Sequence, residues 1–174
     1  MTDHRAGAEP TTPAAAPAGT ARSLVWLTLA VAAGWVVADQ LTKWWALETL
    51  DQGDPVPVVW TLQWNLVFNS GMAFSQFEGG GWIIGLVAVV IVLVLFLTLR
   101  GTRSRLTAVA VGMIIGGALG NLLDRALRDD GGFLGGRVVD FIDVQWWPVF
   151  NVADVGVVVG GLLLIIGSLR TSGP

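Results

Sequence analysis

Two aspartates, Asp140 and Asp154, are the residues of this chain whose type and setting best suit chemistry. They sit in Arg137-Val138-Val139-Asp140-Phe141-Ile142-Asp143 and Phe150-Asn151-Val152-Ala153-Asp154, beside the start of a long apolar segment. Charge is costly there unless it is used. Two close carboxylates cannot both ionise readily, so they share a proton. The ionised member can take a proton from water while the protonated one polarises a carbonyl, which suffices for peptide hydrolysis. Titration then belongs to the pair rather than to either residue. Spacing alone leaves a second reading open. Asn151, three residues before Asp154 at the head of an apolar helix, also has the form of an N-cap with a carboxylate facing the helix dipole. Asp140 and Asp143 would then be parts of a solvated face.

The residue types that are missing narrow the chemistry. The chain has no Cys, and its one His is His4, close to the N-terminus. A thiol nucleophile, a thiolate metal site, His-assisted Ser catalysis and a multi-His metal site in the body of the chain are therefore excluded. Carboxylates and Lys43 remain as the main groups for proton transfer. Hydrolysis by paired carboxylates needs no metal, and a net charge of -3 argues against a nucleic-acid partner.

The elements that must position these residues are apolar helices. Of 174 residues, 53% are hydrophobic and 13% charged, against roughly 25% charged in ordinary soluble domains. With 23 Gly and 9 Trp, this is the composition of an integral membrane protein. Residues 1–21, rich in Ala, Pro, Thr and Gly, read as a disordered tail. A cleavable signal peptide competes, because Arg22 precedes an apolar run containing Ala32-Ala33. The helical pattern continues through Lys43 to Leu47, beyond any cleavage site, and favours an uncleaved span. Spans are predicted at about 24–47, 82–99, 106–123 and 152–169. Gly112-x-x-x-Gly116-x-x-x-Gly120 and Gly156-x-x-x-Gly160 would allow close helix approach. Residues 22–170 then form one four-helix membrane domain, with 171–174 as a short tail.

Four spans place both termini on one side. The positive-inside rule puts Arg22, the arginines at 100–105 and Arg170 in the cytoplasm. The acids at 48–54, 78 and 124–154 fall on the opposite face. Trp44, Trp45, Trp60, Trp64, Trp82, Trp146 and Trp147 fall near that outer boundary, as an aromatic belt would. In the outer loop, about 48–81, Val58, Trp60, Leu62, Trp64, Leu66 and Phe68 alternate with mostly polar residues. That alternation predicts a strand or hairpin with one aromatic face. Such a sheet could rest on the bilayer and wall a site, or pack only on its own protein.

Other polar groups gather near the same edge. Asp39 and Lys43 share a helix face, as a working pair or as a simple interfacial ion pair. Asn121 and Arg125 share another, with Asp124 between them. Asn121 is about 22 Å along its helix, close to the outer edge of the hydrocarbon. Arg125 could orient a substrate carbonyl or phosphate, or pair with Asp124. Asn69-Ser70-Gly71 follows the alternating stretch, where Gly permits a turn and the Asn amide could hold a peptide backbone.

Five stretches together resemble the lipoprotein signal peptidases (signal peptidase II). They are Asp39-Gln-Leu-Thr-Lys43, Asn69-Ser-Gly71-Met-Ala-Phe74, Gly120-Asn121-Leu-Leu-Asp124-Arg125, Val138-Val-Asp140-Phe-Ile and Phe150-Asn151-Val-Ala-Asp154. The resemblance covers about 24–169. Each motif is weak alone, but five in order are specific. Met72, where Ala is common, is a small departure. The resemblance implies an all-α polytopic membrane protein of four transmembrane helices with a small extracytoplasmic β-sheet. It implies the bacterial cytoplasmic (inner) membrane, cytoplasmic termini, a site near the extracytoplasmic face, and no metal or other cofactor.

By the same resemblance Asp140 and Asp154 are the catalytic pair. Asp39, Lys43, Asn69, Gly71, Asn121, Arg125 and Asn151 match positions that support the pair or contact substrate or inhibitor. The implied substrate is a prolipoprotein cut just before a Cys that already carries diacylglycerol. Membrane lipid and globomycin-type inhibitors are the other partners, and a monomer is expected. Asp124 and Asp143 are left as bystanders or structural partners. A small transporter, with acids lining a midplane path, and a non-catalytic scaffold on the Gly-rich faces are the rival readings.

Overall fold

The computed structural model describes residues 18–71, 81–98, 104–128 and 134–171. Its order is α1 (Ala18–Thr49), β1 (Val56–Val59), β2 (Leu62–Asn69), α2 (Gly81–Thr98), α3 (Arg105–Leu127), β3 (Val138–Asp143) and α4 (Val152–Thr171). Three helices are long and apolar enough to cross a membrane: Leu24–Thr49, Arg105–Leu127 and Val152–Leu169. A fourth, Trp82–Leu97, is apolar and shorter. The helix α1 starts at Ala18, inside the stretch read as a tail. The rest of that tail, Arg100, Arg103, Met72 to Phe74, Glu78 and 172–174 lie outside the described residues.

The centre of the bundle is α3, which packs on α1, α4 and α2. Its glycines explain why. A Cβ on Gly112 would stand 2.7 Å from the Thr28 carbonyl oxygen, and one on Gly116 would stand 2.6 Å from that of Ala32. A Cβ on Gly117 would strike the Ala153 carbonyl of α4. Without side chains at these positions, backbones meet and dispersion contacts multiply. The second glycine pair divides its task. Gly156 receives the Trp35 ring, whereas Gly160 receives the α3 backbone at Ala110. Where α1 meets α3, the buried Thr28 hydroxyl donates to Leu24 O and, across the interface, to Ala108 O at 3.0 Å. Outward faces of α2 and α4, such as Ile83, Leu93, Val158 and Ile165, are exposed apolar surface. Surface of that kind is what bilayer hydrocarbon covers.

Three antiparallel strands form a sheet in the order β1-β2-β3. The alternating stretch is a hairpin rather than one strand, because the chain reverses at Trp60, where φ is 51°. Trp60 therefore leaves the aromatic face and stands 94% exposed. Trp45 and Trp64 turn inward instead. Their rings lie 5.4 Å apart, and 6.0 and 6.1 Å from Phe141. With Ala46, Leu50, Leu66 and Val139 they seat the sheet on the end of α1. Trp44, Trp60, Trp82, Trp146 and Trp147 remain exposed. The third strand was legible only as an apolar run. Its Val138 and Val139 are buried on both faces, so the period-2 polar alternation that marks a surface strand is missing.

Candidate active site

The helix α4 begins immediately after Asn151, and the Asn is its cap. Asn151 Oδ1 accepts from the Asp154 backbone N–H at 3.0 Å, and the Asp154 carboxylate accepts from the Asn151 backbone N–H at 3.1 Å. This reciprocal pair is a capping box with Asp in place of Glu. The same Asn reaches outward as well. Its Nδ2 donates to Asp140 Oδ1 at 2.7 Å and to Asn121 Oδ1 at 3.0 Å. The cap reading and the paired-carboxylate reading thus describe the same atoms, since Asn151 bonds both carboxylates.

Each aspartate has a second amide donor. Asn69 Nδ2 donates to Asp140 Oδ2 at 2.9 Å, and Asn121 Nδ2 donates to Asp154 Oδ1 at 2.9 Å. Asn69 is itself fixed, because its Oδ1 accepts from the Gly71 backbone N–H at 2.8 Å. Gly71 has φ 86°, a conformation that side chains disfavour, which accounts for the glycine. Asp140 lies in β3 and is 2% exposed. Burial pushes its carboxyl up to about 7, and the charge of Asp154 adds to the rise. The Asn69 and Asn151 hydrogen bonds and the charge of Lys43 oppose it.

A buried ionic cluster stands behind the pair. Lys43 Nζ lies 2.9 Å from each of Asp39 Oδ2, Asp124 Oδ2 and Asn121 Oδ1, so its three N–H groups have three partners. Asp39 also accepts from the Ala153 backbone N–H at 2.8 Å, which ties α1 to the head of α4. Gly120 belongs to this packing, since a Cβ there would strike the Asp39 carboxylate. Sequence reasoning offered Asp124 to Arg125. The structure pairs it instead with Lys43 and with Arg128 Nε at 2.7 Å. Arg125 points elsewhere, because adjacent helix positions do not face each other, whereas Asp124 and Arg128 are i,i+4 neighbours on one face. It donates to Gly136 O at 3.3 Å, and Gly136 N donates back to the Arg125 carbonyl at 3.1 Å.

Asn69, Gly71, Asn121, Arg125, Asp140 and Asp154 line one open cleft of ≈ 340 Å³. Below them it continues between Ile84, Val87 and Ile91 of α2 and Ile114 and Ala118 of α3. A second, apolar groove of ≈ 430 Å³ borders Asp154 on its other side, walled by Trp146, Trp147, Phe150 and Val158. Asp39, Lys43 and Asn151 stand behind the cleft and do not line it. Asp143 is separate. It accepts from Gln63 Nε2 at 2.7 Å, Asn65 Nδ2 at 2.9 Å and the Gln145 backbone N–H at 2.7 Å, and the side-chain donors hold its carboxyl below the usual range. It clasps the sheet.

Sequence reasoning did not assign Gln40 or Gly136. Gln40 Nε2 donates to the Gly120 carbonyl at 3.1 Å and touches both Asp39 and Asp124. Its place inside the Asp39 to Lys43 motif was the available signal. A Cβ on Gly136 would strike the Arg128 carbonyl, so that position admits only glycine at the end of α3. The Gly135-Gly136 pair was visible, but it reads as ordinary loop composition.

Residues 31–170 match a family model described as signal peptidase (SPase) II. A lipoprotein signal peptidase of Mycobacterium avium (strain 104) is 48% identical over 144 residues, covering 82% of this chain and 79% of the relative. One from Mycolicibacterium smegmatis (strain ATCC 700084 / mc(2)155) is 46% identical, covering 97% of this chain and 74% of the relative. Among solved structures, a bacterial membrane enzyme determined by the in meso method at 2.3 Å superposes with a TM-score of 0.71. It is 30% identical, with 83% of this chain and 89% of that chain covered.

Proposed function

The chain belongs to the signal peptidase II family, and from that premise we propose that it is an aspartic endopeptidase of the bacterial membrane that removes signal peptides from prolipoproteins. Asp140 and Asp154 are the catalytic pair. The observation that carries this reading is that both carboxylates are bonded to Asn151 and both line the cleft. Ionised Asp154 takes a proton from water, and the oxygen of that water attacks the scissile carbonyl carbon. Protonated Asp140 hydrogen-bonds the carbonyl oxygen as negative charge develops there. The tetrahedral carbon then expels the amine, whose nitrogen takes the proton from Asp154. The new carboxyl end leaves with the signal peptide.

Cleavage falls before the diacylglyceryl-modified Cys. Two apolar surfaces border Asp154, and such a substrate has two apolar parts, the signal segment and the acyl chains. Arg125, Asn69, Gly71 and Asn121 line the cleft and contact substrate or inhibitor, globomycin-type peptides among the latter. Asp39, Lys43 and Asn151 support the pair from behind. All four helices cross the membrane, with both termini cytoplasmic, the cleft at the extracytoplasmic face, and the chain acting as a monomer in contact with lipid. Residues 22–170 are the peptidase domain.

The test is cleavage of lipidated and unlipidated precursor by purified protein. Asp140→Asn and Asp154→Asn should each cut the rate by at least about a thousandfold while the variants stay folded in the membrane. Near-normal processing by either one would remove the pair from the mechanism. Equal cleavage of the unlipidated precursor would remove the lipid requirement.

A further inference from the structure

We propose that Asp124 is a positioning residue for the reaction, tied through one carboxylate oxygen to both Asp140 and Asp154, and that its charge balances Lys43 and Arg128 behind them. The proposal rests on the aspartate-pair reading and deepens it. Asp124 is 1% exposed near the end of α3. Toward Asp140, its Oδ2 accepts from the Val139 backbone N–H at 3.1 Å. Val139 precedes Asp140 in β3, so this bond sets the strand against the bundle. Toward Asp154, the same oxygen holds Lys43 Nζ at 2.9 Å. Lys43 donates to Asn121 Oδ1 at 2.9 Å, and Asn121 Nδ2 donates to Asp154 Oδ1 at 2.9 Å. Oδ1 of Asp124 accepts from Arg128 Nε at 2.7 Å and Gln40 Nε2 at 3.3 Å.

Stability alone is a poor reason to bury such a cluster. The desolvation of buried ion pairs commonly offsets their attraction, and apolar replacements are often as stable. What four charges supply here is placement and electrical balance. Asp39, Lys43, Asp124 and Arg128 have formal charges that cancel. The groups that act on Asp140 are Lys43 from α1, Asn69 from β2, Arg125 from α3, and Asn151 and Asp154 at α4, with Asp39 and Asp124 one step back on Lys43. On its own strand Asp143 is engaged by Gln63 and Asn65, and just before the strand Arg137 lies over the Phe68 ring at 5.3 Å. Removing the Asp124 charge leaves this setting one unit more positive, which favours the anion at Asp140. Removing the Arg128 charge does the reverse.

The experiment measures kcat and KM of the purified full-length protein on a lipidated precursor across roughly pH 5 to 9, with thermal unfolding alongside. Asp124→Asn should lower kcat about tenfold or more, change KM by less than about threefold, and move the alkaline limb down by about one pH unit. Asp124→Glu should restore most of the rate. Arg128→Gln, at a partly exposed side chain, should move the limb upward by a smaller amount. If Asp124→Asn does not fold, the sign of the Arg128→Gln shift decides. A limb that stays in place in every variant, with only the melting temperature reduced, overturns the proposal and leaves a structural ion cluster. Normal cleavage by Asp140→Asn would instead overturn the aspartate-pair reading, a distinct result.

Discussion

Asp140 shows how setting overrides residue type. An ordinary carboxyl is ionised well below neutrality, but burial lifts this one to about 7, with Asp154 as the neighbouring negative charge. The proposed mechanism requires Asp140 to be protonated, so the rate should fall as pH rises through about 7. A rate that stays flat from about pH 6 to 9 would contradict this. Stability follows the same proton. Between the ordinary carboxyl range and about 7 the folded chain binds a proton that the unfolded chain has released. That contribution is present in full below the ordinary range and is lost as pH rises through about 7. It amounts to about 4 kcal/mol at most. Asp140→Asn should therefore flatten the pH dependence of the melting temperature between about pH 5 and 8.

At the scale of elements, the site depends on how closely α1 and α4 approach α3. Asp39 and Lys43 reach Ala153 at the head of α4 and Asn121 of α3 because Gly112 and Gly116 admit the α1 backbone. Gly112→Val should force the helices apart, cost about 1–3 kcal/mol and lower kcat, because Lys43 moves with α1. Gly34→Ala is the control, as its added Cβ meets nothing within 4 Å. It should leave the rate unchanged and raise stability by up to about 1 kcal/mol. Thermal unfolding with a parallel cleavage assay separates the two. In β2 a register shift between Trp64 and Val67 divides the strand's duties. Gln63 and Asn65 serve Asp143, while Asn69 serves Asp140.

At the scale of the molecule, the sheet and the bundle share a hydrophobic joint, with Phe141 packed against both Trp45 of α1 and Trp64 of β2, which also touch each other. Phe141 is the residue next to Asp140. Phe141→Ala should cost about 3–5 kcal/mol and disturb cleavage in whatever fraction remains folded, read by unfolding and by rate per folded molecule. Full activity with unchanged stability would separate the sheet from the site. The long-range order of the chain was largely legible beforehand. Apolar runs of membrane length mark the helices, because a bilayer admits few charges. The absence of Cys, and of any His beyond His4, leaves carboxylates as the main groups for chemistry, and five ordered motifs name the residues around them. Other features were hidden in the sequence. The third strand carries no alternation, since both of its faces are buried. The alternation allowed a hairpin but did not place its turn at Trp60, because period-2 alternation does not record where a chain reverses. Asp124 lies beside Arg125 in sequence, yet it belongs to Lys43 and Arg128. Neighbours along a helix point in different directions, and which partner a buried charge meets is decided by the helix packed against it. The sequence determined which groups were present and which edge of the molecule held them. Only tertiary packing decided that Asn151 would bond both aspartates while capping α4.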